Sequence, residues 1–284
     1  MKKFTAVMLS ALMAAAALTG CSGGSGSSNA DTKTNTSQTS SADWDYIKNK
    51  GELIIGITYF EPMNYKDDSG KLTGFETEFA ESVCKELGVK PVFQKIDWDS
   101  KEVELKSKTI DCIWNGLTIT DERKSNMDIS VPYMENKQVM VTKKENAEKF
   151  TRAENLKEAT VVAEKKSAGE DVAKEDEFFK DATYVSVDSQ AKALLEVKSG
   201  TADIAIIDYV MSIGTLSSGS DYSDLQVVEG KDFAPEQYGV AIRKDSTETL
   251  KKLNEAMQKV SDDGTLDKIG KKYNLDSLLI LKSK

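Results

Sequence analysis

Short apolar runs alternate with amphipathic helical patterns from residue 53 onwards, and this alternation constrains the fold more than any other feature of the chain. Leu53–Ile57 has the length and composition of a buried strand. Apolar residues then recur at four-residue steps from Phe75 to Leu87, which predicts a helix that Gly88 ends. Val92–Ile96 reads as the next strand. Successive strand–helix–strand units predict an α/β fold with a parallel sheet and right-handed crossovers.

A second series of the same kind begins after Pro132. Its predicted strands are Val139–Thr142, Thr160–Ala163, Tyr184–Val187, Ile204–Ile207 and Tyr238–Ile242. We expect helices to start near Ser167 and Ser189, and apolar stripes predict a long helix over 250–260 and a shorter one over 266–273. The chain from residue 43 is long enough for one large domain or two small ones.

The amino terminus carries a targeting pattern instead of a folding pattern. Lys2 and Lys3 precede an apolar run that is too short to span a bilayer, so residues 1–20 read as a secretory signal peptide. The sequence Leu-Thr-Gly-Cys that ends at Cys21 resembles a bacterial lipobox, after which the cysteine is lipid-modified. The alternative is an ordinary signal peptide followed by a chance cysteine. Residues 21–43 are rich in Ser, Gly, Thr and Asn and predict a flexible tether.

Composition excludes several classes of function. The formal net charge of −9 argues against nucleic acid as a partner. The absence of histidine removes the commonest general base and the Ser-His and Cys-His pairs, and no cluster has the spacing of metal ligands, so we expect no metal and no cofactor. Cys84 and Cys112 could pair in an oxidising exterior, or could be two buried thiols.

The stretch from residue 111 to 123 carries the most specific chemistry. A predicted strand, Ile110–Trp114, is broken by Gly116 and followed by Thr120, a plausible helix N-cap. Arg123 falls in the first turn, where a cation is electrostatically misplaced unless it faces an anion. Its planar fork of donors matches a carboxylate. A solvated arginine on a helix surface is the alternative.

The string Gly-Leu-Thr-Ile-Thr-Asp-Glu-Arg over 116–123 closely resembles the signature of the polar amino acid binding proteins of ABC importers, the bacterial extracellular solute-binding proteins of family 3. The resemblance covers the chain from about Trp44 to Asn274. It implies a two-lobed periplasmic-binding-protein fold of type II, in which two doubly wound lobes are joined by two crossover strands. Lobe one would comprise residues 44–136 and 238–284, and lobe two residues 137–237.

The resemblance also implies roles for individual residues. Thr118 and Arg123 would hold a ligand's carboxylate, and Gly116 and Asp208 its ammonium. The residues expected to bind ligand are Tyr59, Phe60, Trp98, Asn115, Gly116, Thr118, Arg123, Glu164, Ser167, Ala168 and Asp208. They follow the ends of predicted strands, where open α/β sheets bind ligands. A helix cap for Asp208 and core packing for the rings are the alternatives. Two positions depart from the family pattern. The family usually has Gly where this chain has Lys166, and Gln or Lys where it has Glu164.

Taken together, the resemblance implies a monomeric receptor for a polar amino acid, without enzyme activity. A ligand that bridges the two lobes would favour the closed form, which would dock on the membrane permease of an ABC importer. The lipid on Cys21 would hold the protein at the outer face of the cytoplasmic membrane. Two alternatives remain: a lyase of the cyclic-acid dehydratase type, and the ligand-sensing part of a receptor.

Overall fold

The computed structural model describes residues 36–217 and 219–284. The predicted signal peptide, Cys21 and the first part of the predicted tether lie outside these residues. In the part of the chain that the structure describes, no helix has the length and apolar character needed to cross a membrane.

The end of the predicted tether differs from the structure. Helix α1 (Thr36–Lys50) begins before residue 43, where the tether is expected to end. Asp43 is buried and pairs with the Arg243 guanidinium, and the side chain of Ile47 lies in the core. This contact joins residues 200 positions apart, which composition cannot reveal.

Strands and helices alternate along the described chain, and most boundaries agree with the predicted ones within two residues. The strands are β1 (Glu52–Ile57), β2 (Tyr65–Lys66), β3 (Leu72–Thr73), β4 (Lys90–Lys95), β5 (Cys112–Ile113), β6 (Met127–Ile129), β7 (Met134–Lys143), β8 (Thr160–Glu164), β9 (Thr183–Val187), β10 (Ile204–Asp208), β11 (Leu225–Val227), β12 (Pro235–Tyr238) and β13 (Ala241–Arg243). The helices after α1 are α2 (Phe75–Leu87), α3 (Lys101–Lys106), α4 (Asp121–Asn126), α5 (Ala168–Glu175), α6 (Gln190–Ser199), α7 (Tyr209–Thr215), α8 (Thr247–Asp262) and α9 (Thr265–Lys272).

Helix ends follow the predicted capping residues. Ser167 and Ser189 each accept a hydrogen bond from the backbone N–H three residues later, which starts α5 and α6. Gly88 ends α2 with a left-handed φ of 67°. These starts and stops confirm the helices that the apolar stripes predict.

Two predicted strands differ in extent. Strand β7 begins at Met134, five residues before the predicted start, because its first half pairs with β12 outside the apolar run. The run over 238–242 is not one strand: β12 ends at Tyr238 and β13 begins at Ala241.

The first sheet forms the centre of what we call lobe one. Its strand order is β4-β1-β5-β13-β6. Strand β1 is parallel to β4 and β5, as predicted, whereas β13 is antiparallel to β5 and β6, so the sheet is mixed. Helix α2 packs against α8 and α9. Cys84 on α2 and Cys112 on β5 are buried free thiols, which is one of the two alternatives open from the sequence.

The second sheet forms the centre of lobe two. It has the order β11-β7-β10-β8-β9, with β8 parallel to both β9 and β10. Strand β7 runs antiparallel to β10 and β11, so this sheet is mixed as well. Helices α5 and α6 pack against β8 and β10. The sequence predicts the parallel strands of both sheets but not the antiparallel ones, because a strand's apolar pattern does not encode the direction of its partner.

Two neighbouring strands carry the chain between the sheets. Strands β7 and β12 pair antiparallel from Met134 opposite Tyr238 to Lys137 opposite Pro235. The chain leaves lobe one along β7 and returns along β12. The predicted lobe boundaries fall within this pair of strands.

Candidate functional site

A narrow cavity lies between the two sheets. Its lining residues are Trp98, Asn115, Gly116, Thr118, Arg123, Glu164, Ser167, Ala168, Gln190 and Asp208. They lie at or beyond the carboxyl ends of β4 and β5 in lobe one, and of β8, β9 and β10 in lobe two. All except Gln190 are residues that the sequence predicts for the site.

Arg123 supplies a buried cation on the lobe-one side. Thr120 caps α4 as predicted, since its hydroxyl oxygen accepts a hydrogen bond from the Arg123 N–H at 3.1 Å. The guanidinium donates to the Thr118 carbonyl at 2.7 Å and to the Lys166 carbonyl at 3.5 Å. Burial lowers the pKa of Arg123. Among the described residues no carboxylate lies within salt-bridge distance of it. Arg123 is therefore a buried positive charge that neutral carbonyl groups solvate.

Asp208 supplies a buried anion on the lobe-two side. It precedes α7, but its side chain makes no capping hydrogen bond, so the alternative role of a helix cap does not apply. Its carboxylate accepts from Asn136 Nδ2 at 2.6 Å, from Gln138 Nε2 at 2.7 Å and from Gln190 Nε2. Burial raises the pKa of Asp208, and these amide donors oppose that rise because they favour the charged form.

A second carboxylate, which the sequence does not predict for the site, stands next to Asp208. Glu236 on β12 accepts from the Thr118 hydroxyl at 3.0 Å and from the side-chain amides of Asn136 and Gln138, each at 3.1 Å. Burial and the charge of Asp208 raise the pKa of Glu236 to about 7. The one signal in the sequence is the alternation of Asn136 and Gln138, which places both amides on one face of a strand.

Glu164 lines the cavity, and Lys101, which can carry the opposite charge, lies beside the lining residue Trp98. Glu164 is buried, and burial together with the charge of Asp208 raises its pKa to about 8. Lys101, the first residue of α3, is also buried, and burial lowers its pKa to about 8. Its ammonium donates to the carbonyls of Trp98 at 3.2 Å and Lys166 at 3.1 Å, and lies 4.5 Å from the centre of the Trp98 ring.

The start of α5 differs in part from the prediction. Lys166 adopts a left-handed φ of 56°, a conformation that favours the glycine usual in the family. Ser167 is expected to bind ligand, but its N–H already donates to the Glu164 carbonyl at 3.2 Å. Ala168 is the first residue of the helix, where backbone N–H groups lack partners within the helix.

Two predicted aromatic residues do not line the cavity. Tyr59 is 40% exposed, and the ammonium groups of Lys66 and Lys95 each lie 5.5 Å from its ring. Phe60 is buried behind the site: a Cβ on Gly116 would lie 2.6 Å from its ring. Gly116, with a φ of 55°, is therefore needed for both its backbone conformation and the close approach of Phe60.

Buried polar groups of lobe one hold the loop that contains Gly116. The Gly116 N–H donates to Glu76 at 2.8 Å, and Tyr133 and Asn64 donate to the same carboxylate. Burial raises the pKa of Glu76 to about 7. The side chain of Asn115, predicted to bind ligand, instead accepts from the Thr58 N–H at 2.9 Å and donates to the Thr58 hydroxyl at 2.7 Å. This side chain orders the loop.

A larger cleft elsewhere is open to solvent, and the charged residues Glu102 and Lys106 in its lining are at least partly exposed. It has a volume of about 530 Å³ beside α3 and α4 and contains Arg243. That guanidinium already pairs with Asp43 and with Asp111, the latter at 3.0 Å. The described residues contain no group of His, Cys, Asp or Glu arranged to hold a metal ion. In the cavity between the lobes, by contrast, a cation on Arg123 and an anion on Asp208 are both buried.

Known proteins share this architecture. The chain is 31% identical to the L-cystine-binding protein TcyJ of Escherichia coli over 80% of its own length and 84% of the relative's. A substrate-binding protein of an ABC uptake transporter from Streptococcus pneumoniae, solved with bound histidine, is 32% identical with a TM-score of 0.75. That match covers 82% of this chain and 96% of the other.

A third likeness is to an ancestral amino-acid-binding protein described as a precursor of cyclohexadienyl dehydratase. It is 34% identical with a TM-score of 0.72, and the match covers 81% of this chain and 98% of that protein. These neighbours confirm the predicted two-lobed fold. The family model for bacterial extracellular solute-binding proteins, family 3, matches residues 53–276. With two lobes, a cavity between them and this match over most of its length, the chain belongs to that family.

Proposed function

We propose that the protein binds a free polar α-amino acid between its lobes and delivers it to the membrane permease of an ABC importer. One observation carries the proposal. The guanidinium of Arg123 is buried without a carboxylate partner among the described residues, and it lines the same cavity as the buried carboxylate of Asp208. An α-amino acid offers an anion and a cation on adjacent atoms, so one molecule would match both charges. Burying either charge unmatched is costly.

Contacts between the lobes support a closing mechanism. The Lys166 carbonyl on lobe two accepts hydrogen bonds from Lys101 and Arg123 on lobe one. Lys165 on lobe two pairs with Asp99 on lobe one at 2.8 Å. A ligand held by Arg123 and Asp208 adds contacts that exist only when the lobes meet, so it stabilises the closed form. The closed form is the signal to the permease, and the importer's own ATPase subunits supply the energy.

The proposal includes a location and an assembly state. A lipid on Cys21 anchors the protein to the outer face of the cytoplasmic membrane, since each buried methylene contributes about 0.8 kcal/mol. The protein acts as a monomer and changes no covalent bond of its ligand.

The anchor is tested with the variant Cys21→Ser, which should be absent from the membrane fraction and should keep its affinity for the ligand. A variant that stays in the membrane fraction would contradict the anchor.

Derivatives of the ligand test the two charged ends separately. Calorimetry of the purified protein against the common L-amino acids should find one-to-one binding of a polar one. Its methyl ester, which lacks the carboxylate, and its N-acetyl form, which lacks the ammonium, should each bind at least about 30-fold more weakly, because each leaves a buried charge unpaired. A derivative that binds as tightly as the parent contradicts the role of the corresponding protein charge. The absence of binding to any amino acid contradicts the function.

A further inference from the structure

The wall around Trp98 and Glu164 contains two buried polar atoms that lack partners. The indole Nε1–H of Trp98 and the Oε1 atom of Glu164 make no hydrogen bond to any described residue. The two residues are 5% and 4% exposed, and both line the cavity between the lobes. Buried polar atoms in folded proteins are nearly always hydrogen-bonded. The wall therefore presents one donor and one acceptor for a bound molecule.

The donor and the acceptor set opposite demands. The Trp98 N–H requires an acceptor atom and has no acceptor capacity of its own. Glu164 Oε1, when its carboxyl group is ionised, requires a donor. A side chain that only donates leaves the indole N–H unpaired, and one that only accepts leaves the carboxylate oxygen unpaired. An apolar side chain leaves both unpaired, which costs the desolvation of each atom.

The charges near this wall favour a side chain of zero net charge. Lys101 brings a positive group and Glu164, in its ionised form, a negative one, and both residues are buried. A lysine or arginine ligand would place its cation near Lys101, whose pKa burial and the charge of Arg123 already lower. A glutamate or aspartate ligand would place its anion near Glu164, whose pKa burial and the charge of Asp208 already raise. Each would add a like charge at a site that already disfavours it.

We infer that this wall selects an amino acid whose side chain ends in a neutral group with both an acceptor and an N–H donor. Two sources have that chemistry: a carboxamide, as in glutamine, and a second amino-carboxylate head, as in cystine. The acceptor oxygen takes the Trp98 N–H, and the donor nitrogen gives its proton to a hydrogen bond with Glu164 Oε1. The inference rests on the proposed function, because it concerns the side chain of the same ligand.

Calorimetry with a panel of ligands tests the inference. The purified protein should bind L-glutamine or L-cystine at least about tenfold more tightly than L-arginine, L-lysine, L-glutamate and L-leucine, since a side chain of the wrong charge leaves a buried group unpaired. Separate titrations of glutamine and cystine distinguish the two sources. Tightest binding of a charged or apolar member overturns the inference and leaves the proposed function intact. If no member binds, the proposed function fails, and the inference fails with it.

Substitution of the indole sharpens the test. Trp98→Phe keeps the ring and removes the N–H, so it should weaken the preferred ligand about five- to tenfold. Trp114→Phe is the matched control, because the Trp114 Nε1–H is also buried without a described partner but the residue does not line the cavity. It should leave affinity unchanged. Equal losses in the two variants, or no loss in Trp98→Phe, overturn the assignment of the donor.

The acceptor has its own variant. Glu164→Gln keeps an acceptor oxygen and removes the ionisable group, so a neutral ligand with both groups should lose less than about tenfold in affinity. A cationic ligand would lose far more, since it depends on the charge. Melting temperatures of the ligand-free variants show whether each one folds. A loss of several hundred-fold on Glu164→Gln would show that the wall pairs with a cation, and would overturn the inference.

Discussion

The two charged ends of the cavity are built in different ways. On the lobe-two side, Asp208 receives three side-chain amide donors, two from the neighbouring strand β7 and one from α6. On the lobe-one side, Arg123 is buried among carbonyl groups, with no carboxylate in salt-bridge range among the described residues. The anion is thus stabilised within the protein, whereas the cation is only partly compensated.

This difference separates binding from stability. A charged group that the protein's own hydrogen bonds compensate is held in position before a ligand binds, and removing it leaves its hydrogen-bond partners unpaired. A group that the protein compensates poorly contributes little to the stability of the ligand-free state, and its contribution appears when an anion arrives. We therefore expect Arg123 to matter mainly for affinity, and Asp208 to matter for both affinity and stability.

The largest effect should come from Arg123→Ala. Because this variant removes the cation opposite a ligand's carboxylate, the free energy of binding should weaken by about 3–5 kcal/mol, which is a loss of at least about two to three orders of magnitude in affinity. The free energy of unfolding of the ligand-free protein should change by less than about 1 kcal/mol, since no ion pair is lost. Calorimetry and chemical denaturation measure the two quantities. Arg152→Ala, at an exposed position, is the control. A large loss of stability in Arg123→Ala would contradict the contrast between the two ends.

Asp208→Asn should affect both quantities. An amide in place of the carboxylate turns a donor group toward Asn136, Gln138 or Gln190. We expect about 1–3 kcal/mol of lost stability, and about 2–4 kcal/mol of lost affinity for an ammonium group. Denaturation and calorimetry test this, with Asp181→Asn at an exposed position as the control. If Asp208→Asn is as stable as the parent, the amides do not serve as its fixed partners.

Glu236 should make stability depend on pH. Its pKa is raised from 4.5 to about 7 by burial and by Asp208, so the folded chain keeps a proton that the unfolded chain has lost. Stability should therefore fall as pH rises from about 4.5 to 7. Glu76 and Glu164, with pKa values raised to about 7 and about 8 by burial, add to the same fall.

The variant Glu236→Gln isolates one part of that fall. Melting temperatures between pH 5 and 8 should decline less steeply in the variant than in the parent, because one of the titrating carboxyl groups is gone. In the parent, an ammonium ligand should raise the melting temperature more at pH 8 than at pH 5, since it favours the ionised carboxylates. Parallel pH profiles for parent and variant would assign the dependence to the other groups.

The smallest effect should come from Lys166→Gly. The left-handed φ at this position costs a non-glycine residue about 1–2 kcal/mol, and the entropy of glycine offsets about 0.5–1 kcal/mol of the relief. We expect up to about 1 kcal/mol of added stability with unchanged affinity, because the carbonyl that meets Lys101 and Arg123 remains. Lys165→Gly, next to it but without a left-handed φ, should lose stability instead. Denaturation curves of both variants decide the matter.

Sequence patterns predict what local periodicity and the geometry of sheets determine. The apolar stripe from Phe75 to Leu87 and the run Leu53–Ile57 become α2 and β1 nearly residue for residue. The rule that ligands bind beyond the carboxyl ends of strands brings Arg123, Glu164 and Asp208 to one cavity. These inferences need only the order of elements along the chain.

Contacts between distant segments could not be predicted in the same way. Thr118 and Glu236 meet across 118 positions, and Glu76 reaches Gly116 across 40. Alternation along a strand indicates which face a side chain occupies but not which partner it meets there. The ring of Tyr59 follows a strand exit yet turns away from the cavity, because the direction of a loop is not encoded in apolar periodicity.

The pairing of β7 with β12 has a mechanical consequence. Two connections that bend independently would let one lobe swing and twist about several axes. Hydrogen bonds between these strands, from Met134 to Lys137 on one and from Pro235 to Tyr238 on the other, make them flex as a single ribbon. Asn136 and Glu236 sit on that ribbon. A change of charge at Glu236 therefore acts at the hinge, where a small displacement produces a large displacement at the rims of the lobes.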